Sequence, residues 1–355
     1  MLVDGLTEGA TNVATMADVA RLAGVSRSTV SYVLSGSRPI SERTRARVLA
    51  AMEQLDYAPN VLAQGLAGRR TKLLGLLLPT EFLGLGVDAA GYLTAAADEA
   101  RAAGYHLLLQ PGPADDADFV RQTVRQGLMD GIVVMEVYNR DARVDYLRET
   151  DMPFVLLGRT ENTAGIAFCD ADFDAAAEQA LAHLARLGHR EVALIARSEG
   201  GEGGEGGNRP GVVTRSRDAV EAAAARHGVR MHPHPVSQTV AAGWEVFEEL
   251  RDPASAITAV LVHNEAACLG LLSAAAVAGV AIPQDLSVLA LHSGTEAGEL
   301  SRPRLTSVGP DHMAMARRAV RYLVRRIAGE AAQELQSLSA PRFVDRGSTA
   351  ARPAQ

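Results

Sequence analysis

The chain predicts an α/β fold, with a three-helix head and a hinge helix followed by a two-lobed body built on parallel sheets. Three observations carry that expectation. Residues 15 to 36 read as two short helices joined by a tight turn, short apolar runs alternate with helical stretches from Leu73, and the same alternation restarts after Asp172.

In the head, Thr15 is placed to cap a helix, and Asp18 returns the hydrogen bond at the positive helix end. That helix runs to about Ala23, Gly24 supplies the positive φ that ends it, and Val25 drops an apolar side chain between the helices. Ser26 then caps a second helix running to about Leu34. Met16, Val19, Ala20, Val30 and Leu34 face inward. This is helix-turn-helix geometry. It brings the start of the second helix to the base edges of the DNA major groove, so Arg27, Ser28 and Tyr32 are candidate readers. The plain alternative is a surface helical hairpin with no partner.

Ser41 caps a third helix in which Val48, Leu49, Met52 and Leu55 recur at helical spacing, and Tyr57-Ala58-Pro59 closes a head spanning 15 to 59. Residues 60 to 72 form a hinge helix and linker. The helix, Asn60 to Ala67, is two turns long and interrupted by Gly65, so it is marginal by itself and expected to order only on DNA. Residues 1 to 14 read as a disordered lead-in.

The body runs from 73 to 348. Its first strands are Leu73 to Leu78, Tyr105 to Leu109, Gly131 to Val137 and Phe154 to Leu157, and its later ones Val192 to Ala196, Ala259 to Val262 and Val288 to Leu291. Continuous apolar runs of this kind mark a parallel sheet buried on both faces. Two similar halves following each other put the default pocket in the cleft between them, beyond the carboxyl ends of the strands. Leu83, Gly84, Glu136, Arg159, Arg215, Asn264 and His292 fall at such ends and are the candidate effector-binding residues. The glycine-rich stretch from Glu199 to Gly211 lacks the lysine and hydroxyl residue of a phosphate-binding loop and reads as an unstructured insertion. Phe343 to Ser348 reads as an edge strand, and residues 349 to 355 as a tail.

Composition narrows the function. The 355 residues are 47% hydrophobic and 22% charged, ordinary for a globular protein, with a net charge of −7. That charge is unevenly divided: from Thr15 to Lys72 there are nine basic and four acidic residues, against 26 and 38 elsewhere. Phosphate attraction is therefore confined to the head. Cys169 and Cys268 suggest neither a disulfide framework nor metal-ligand spacing, which fits a reducing cytoplasm. No stretch approaches the roughly 18 apolar residues of a membrane span, and no export signal opens the chain. No nucleophile elbow, metal-ligand cluster or working carboxylate pair is evident, so no catalytic residue, metal or cofactor is expected. The competing reading is a small-molecule carrier with an idle head.

Asp18-Val19-Ala20, Ala23-Gly24-Val25-Ser26 and Thr29-Val30-Ser31, then Tyr57-Ala58-Pro59-Asn60, Ala63 and Leu66-Ala67, resemble the lactose repressor/galactose repressor (LacI/GalR) family. So do His183-Leu184, Gly188-His189, Pro283 with Ser287-Val288, and Pro303 to Val308. The resemblance implies a cytoplasmic homodimeric repressor on double-stranded DNA, each head reading one half of a pseudo-palindromic operator, with a small-molecule effector between the lobes. It also implies hinge helices in the minor groove with Leu66 as the apolar wedge, and phosphate contacts from Thr15, Ser26, Thr29, Ser31, Tyr57 and Asn60. A constitutive repressor without effector is the alternative. Departures from the family pattern matter as well. Tyr32 replaces a common arginine, Glu265 follows Asn264 where aspartate is common, and His292 stands where the first of two aspartates commonly does. With Arg159 and Arg215 as cations in the cleft, the effector is expected to be acidic or phosphorylated. The register of the ligand-clamping arginine stays open between Arg215 and Arg217.

Overall fold

The computed structural model describes residues 14–35, 38–57, 70–79, 86–113, 116–198, 209–252, 255–291, 298–299 and 301–352. The chain divides into two compact units, Met1–Thr71 and Lys72–Gln355.

The head consists of α1 (Met16–Ala23), α2 (Arg27–Ser35) and α3 (Glu42–Gln54). Thr15 forms the expected capping box: its hydroxyl accepts the Asp18 N–H at 3.3 Å, and the Asp18 carboxylate accepts the Thr15 N–H at 3.0 Å. The Thr15 hydroxyl donates to the same carboxylate at 2.6 Å and holds it below the usual carboxylate range. Gly24, at φ +61°, ends α1 in the left-handed region that glycine adopts without a Cβ penalty. Val19, Ala20, Ala23, Val30, Val33, Val48 and Ala51 form the core, with Met16, Val25, Leu34, Met52, Leu55 and Tyr57 packed around it. Leu49 departs from the expectation. It is 48% exposed, because residues 48, 51, 52 and 55 already fill the inward stripe at helical spacing and 49 falls beside it.

In the body the elements are β1 (Leu73–Pro79), α4 (Gly86–Ala102), β2 (His106–Gly112), α5 (Ala117–Arg125), β3 (Gly131–Val134), α6 (Ala142–Arg148), β4 (Phe154–Leu157) and β5 (Phe168–Ala171). Then follow α7 (Phe173–Arg186), β6 (Glu191–Arg197), α8 (Gly211–His227), β7 (Arg230–Val236), α9 (Val240–Leu250), β8 (Ala259–His263), α10 (Glu265–Ala278), β9 (Ser287–Leu291) and β10 (Thr306–Gly309). The chain finishes with α11 (His312–Ile327), β11 (Gln336–Ser339) and β12 (Arg342–Val344). One sheet has the order β11-β5-β4-β3-β1-β2 and is parallel throughout. The other runs β12-β10-β9-β8-β6-β7, parallel except for β12, the edge strand expected over Phe343 to Ser348, which is antiparallel and ends at Val344. Apolar clusters on both faces of each sheet give two layered lobes.

The halves do not simply follow each other. After β10 the chain returns to the first lobe, where Met315, Ala316, Ala319, Val320 and Leu323 of α11 join its core and β11 pairs with β5, before β12 goes back to the second. Four strands of the body were not foreseen. β5 carries Asp170 in its middle, β7 contains Pro233 and Pro235, and β10 and β11 are rich in serine and threonine, so none shows an apolar run. β7 tolerates its prolines because it lies at the sheet edge and pairs only with β6. β3 stops at Val134, short of the expected Val137, since Glu136 at φ +50° turns the chain out of the sheet. Among the described residues no helix is long and apolar enough to cross a membrane.

Candidate functional site

In the head, α2 presents the polar surface. At 100° per residue, Ser28, Ser31 and Tyr32 lie on the side opposite buried Val30 and Val33, and Arg27 stands exposed at the first position of the helix, at the border of that side. Ser26 is the cap: its hydroxyl accepts the Thr29 N–H at 3.1 Å and lies 2.7 and 2.8 Å from the hydroxyls of Ser28 and Thr29. Thr15, Ser26, Arg27 and Ser28 are exposed, and Thr29, Ser31 and Tyr32 are half-buried. The Tyr57 ring rests on the head core and its N–H donates to the Met52 carbonyl at 2.9 Å. The Arg38 guanidinium stacks over the Tyr32 ring, 5.0 Å from its centroid. In the sequence Arg47 reads only as charge. Its Nη2 in fact donates to the carbonyls of Ala23 and Gly24, clamping the turn between α1 and α2. Asn60, Ala63 and Leu66 lie outside the described residues, as does the rest of the expected hinge helix.

In the body, ends of strands from both lobes meet across the cleft. Glu136, just after β3, accepts from Arg197 at the end of β6 at 2.8 Å. Asn139 donates through Nδ2 to the Thr214 hydroxyl at 2.9 Å, and Tyr138 bridges Pro210. Arg159 and Arg215 do converge, but around a residue that sequence reasoning missed: Asp170 of β5 lies 3.4 Å from Arg159 Nε and 3.2 Å from Arg215 Nη2. The two expected cations of the cleft thus share one buried carboxylate. Burial raises the Asp170 pKa against the opposing pull of Arg215 and Arg159. Arg215 faces this cluster, with its guanidinium over the Phe173 ring at 5.6 Å, while Arg217 pairs with Asp218 and Glu221 outside it. Gly211 lets Arg215 pass, since a Cβ there would stand 2.4 Å from its Nη1.

Asn264 does something else. Its Oδ1 accepts the Ala267 N–H at 3.1 Å and caps α10, while Nδ2 donates to the Ser237 carbonyl at 3.1 Å, and the side chain is buried. A short polar residue before an apolar helix is the standard cap signal, which the expected ligand role obscured. Leu83, Gly84 and His292 lie outside the described residues. His263, unforeseen at the end of β8, sits 2.9 Å from the Ser216 hydroxyl, and burial with Arg197 and His312 nearby pushes its pKa down to about 4. His227, His232 and His234 pair with Glu178, Glu191 and Glu249 respectively. No group of three or more His, Cys, Asp or Glu among the described residues is arranged to hold a metal.

A sequence profile described as bacterial regulatory proteins, lacI family, matches residues 15–60, and one for a periplasmic binding protein-like domain matches residues 181–349. The HTH-type transcriptional regulator AscG of Escherichia coli is 31% identical over 287 residues, covering 78% of this chain and 81% of AscG. The chain belongs to the lacI family. The HTH-type transcriptional regulator AglR of Rhizobium meliloti is 30% identical over 284 residues, 77% of this chain and 76% of AglR. The fold matches that of a lac repressor dimer bound to operator and the anti-inducer ONPF, with a TM-score of 0.80 over 95% of this chain and 99% of that one, at 24% identity. This lacI-family member is a DNA-binding transcriptional regulator.

Proposed function

We propose that the chain is a repressor that binds a pseudo-palindromic operator as a homodimer, with a small acidic or phosphorylated effector held between the lobes. The observation that carries the DNA reading is the α2 surface: Arg27 and Ser28 exposed at a capped helix start, with Tyr32 one turn on. Arg27 matches the bidentate acceptor edge of guanine, and the surrounding hydroxyls fix register on phosphates.

A second copy of the chain is supported by α10. Its outer face carries Leu269, 52% exposed, and Val277, 75% exposed, with Ser273 and Ala276 between them and Val240 of the neighbouring α9 also exposed. An exposed stripe of this kind supports a self-association surface. The effector class is supported by the charge in the cleft. Arg159 and Arg215 against Asp170 leave one positive charge, while Glu136 and Arg197 cancel.

Selection of bound sequences from a random DNA library tests the reading. The expected result is an inverted repeat, and in Arg27→Ala a loss of preference at one position in each half together with roughly 1–3 kcal/mol of operator affinity. Recovery of no motif overturns DNA recognition, and recovery of the same motif by both proteins overturns the role of Arg27.

A further inference from the structure

The cluster around Asp170 has an unusual balance. Its Oδ1 accepts the Ala171 N–H at 2.9 Å, but its buried Oδ2 makes no aligned hydrogen bond among the described residues, although two guanidiniums lie within ion-pair range. Arg215 Nε is likewise buried without a hydrogen-bond partner among them. Nη1 of the same guanidinium donates to the Arg159 carbonyl at 3.0 Å and toward Asn139 Oδ1 at 3.4 Å. Two planar forks therefore face one carboxylate that satisfies neither in the side-on manner that suits a guanidinium. Accessibility points the same way: the Asp170 side chain is 5% exposed, those of Arg215 and Arg159 17% and 26%. A ligand entering the cleft meets guanidinium before carboxylate. Asp170 and Arg159 belong to the first lobe and Arg215 to the second, so the cluster also ties the lobes together, beside Glu136 with Arg197 and Asn139 with Thr214.

We infer that Asp170 is an internal stand-in for an anionic ligand group: its carboxylate holds the seat between Arg159 and Arg215 for which a carboxylate or phosphate of the effector competes. This rests on the proposed reading of the cleft as the effector site and deepens it. Binding is an exchange of anions, in which the incoming group has oxygens enough to engage both forks and Asp170 is released from them. Asp170 therefore sets which anions bind, by limiting the cleft to those that outcompete it.

The test is calorimetry on the full chain with inorganic phosphate, glucose 6-phosphate and gluconate as probes and glucose as the neutral control. Asp170→Asn keeps the shape and removes the competing charge, so affinity for the anionic probes should rise roughly tenfold or more, with glucose unchanged. Adding Arg215→Gln to that variant should cancel the gain. Anion affinities that fail to rise in Asp170→Asn overturn the inference, and so does a loss of glucose binding, which would make Asp170 a hydroxyl acceptor. Should the variant fold poorly, its melting temperature in phosphate against chloride serves instead. Phosphate must raise it more than it raises that of the parent protein, and an equal effect overturns the proposal. Operator binding by the parent protein, measured with and without each probe, is read separately. An anion gain without any effect on operator binding leaves the seat standing and refutes the effector reading alone.

Discussion

Replacing Asn264 with alanine separates a structural from a ligand-binding role, because the two make opposite demands on the experiment. In the structure both ends of the side chain are engaged, Oδ1 with the Ala267 N–H and Nδ2 with the Ser237 carbonyl, each at 3.1 Å. Losing an N-cap costs about 1 kcal/mol. Leaving a buried carbonyl without its donor costs about 1–3 kcal/mol. Together these amount to about 3 kcal/mol, which in a unit of this size lowers the melting temperature by roughly 5–8 °C. Asn264→Asp keeps the capping oxygen and should lose the Ser237 bond, about two thirds as much. Urea denaturation of the full chain gives the stability, and calorimetry with glucose 6-phosphate gives the affinity, expected to be unchanged. A variant that melts within about 1 °C of the parent but binds the probe more than roughly tenfold weaker would refute the cap assignment, since a lost cap must appear in stability.

Three further outcomes are expected. Leu269→Glu, or Val277→Glu, places charge on the exposed face of α10 and should convert dimer to monomer in sedimentation, and a variant still dimeric at the parent's concentration range rules that face out. His263 is held neutral, at about 4 against about 6.5 when unfolded, so its contribution is fully present above pH 6.5 and declines as pH falls towards 4, by up to about 3 kcal/mol. Burial lowers the pKa of His183 and His189 as well, adding to the same trend. Urea midpoints should therefore fall between pH 7 and pH 5, less steeply in His263→Gln, and parallel curves would remove His263 as a cause. Arg47→Ala frees the carbonyls of Ala23 and Gly24, and hydrogen exchange of the α1 amides should quicken, by an opening cost reduced by about 1–2 kcal/mol. Unchanged exchange would show that the turn holds without it.

Much of this molecule is legible in the order of its residues, and the division follows interaction range. The capping box at Thr15, the left-handed Gly24, the Ser26 and Ser41 caps and the inward stripe of α1 through α3 are interactions over three or four residues, so local spacing determines them. The same holds for the buried apolar strands β1, β4, β6, β8 and β9, whose environment forces a composition visible without neighbours. Strands β5, β7, β10 and β11 escape because none carries a continuous apolar run: Asp170, two prolines, and serines and threonine sit in them, and only their pairing in the sheet shows them to be strands. The cleft shows the contrast most plainly. Glu136, Arg159 and Arg215 could be placed near it from their positions after strands or at a helix start, but not their partners. Asp170 between two arginines, Arg197 on Glu136, and the return of α11 and β11 to the first lobe are decided only when residues tens to hundreds of positions apart are brought together. A charge's partner depends on distance in space, and sequence spacing reports that distance only within a helix turn or along one strand.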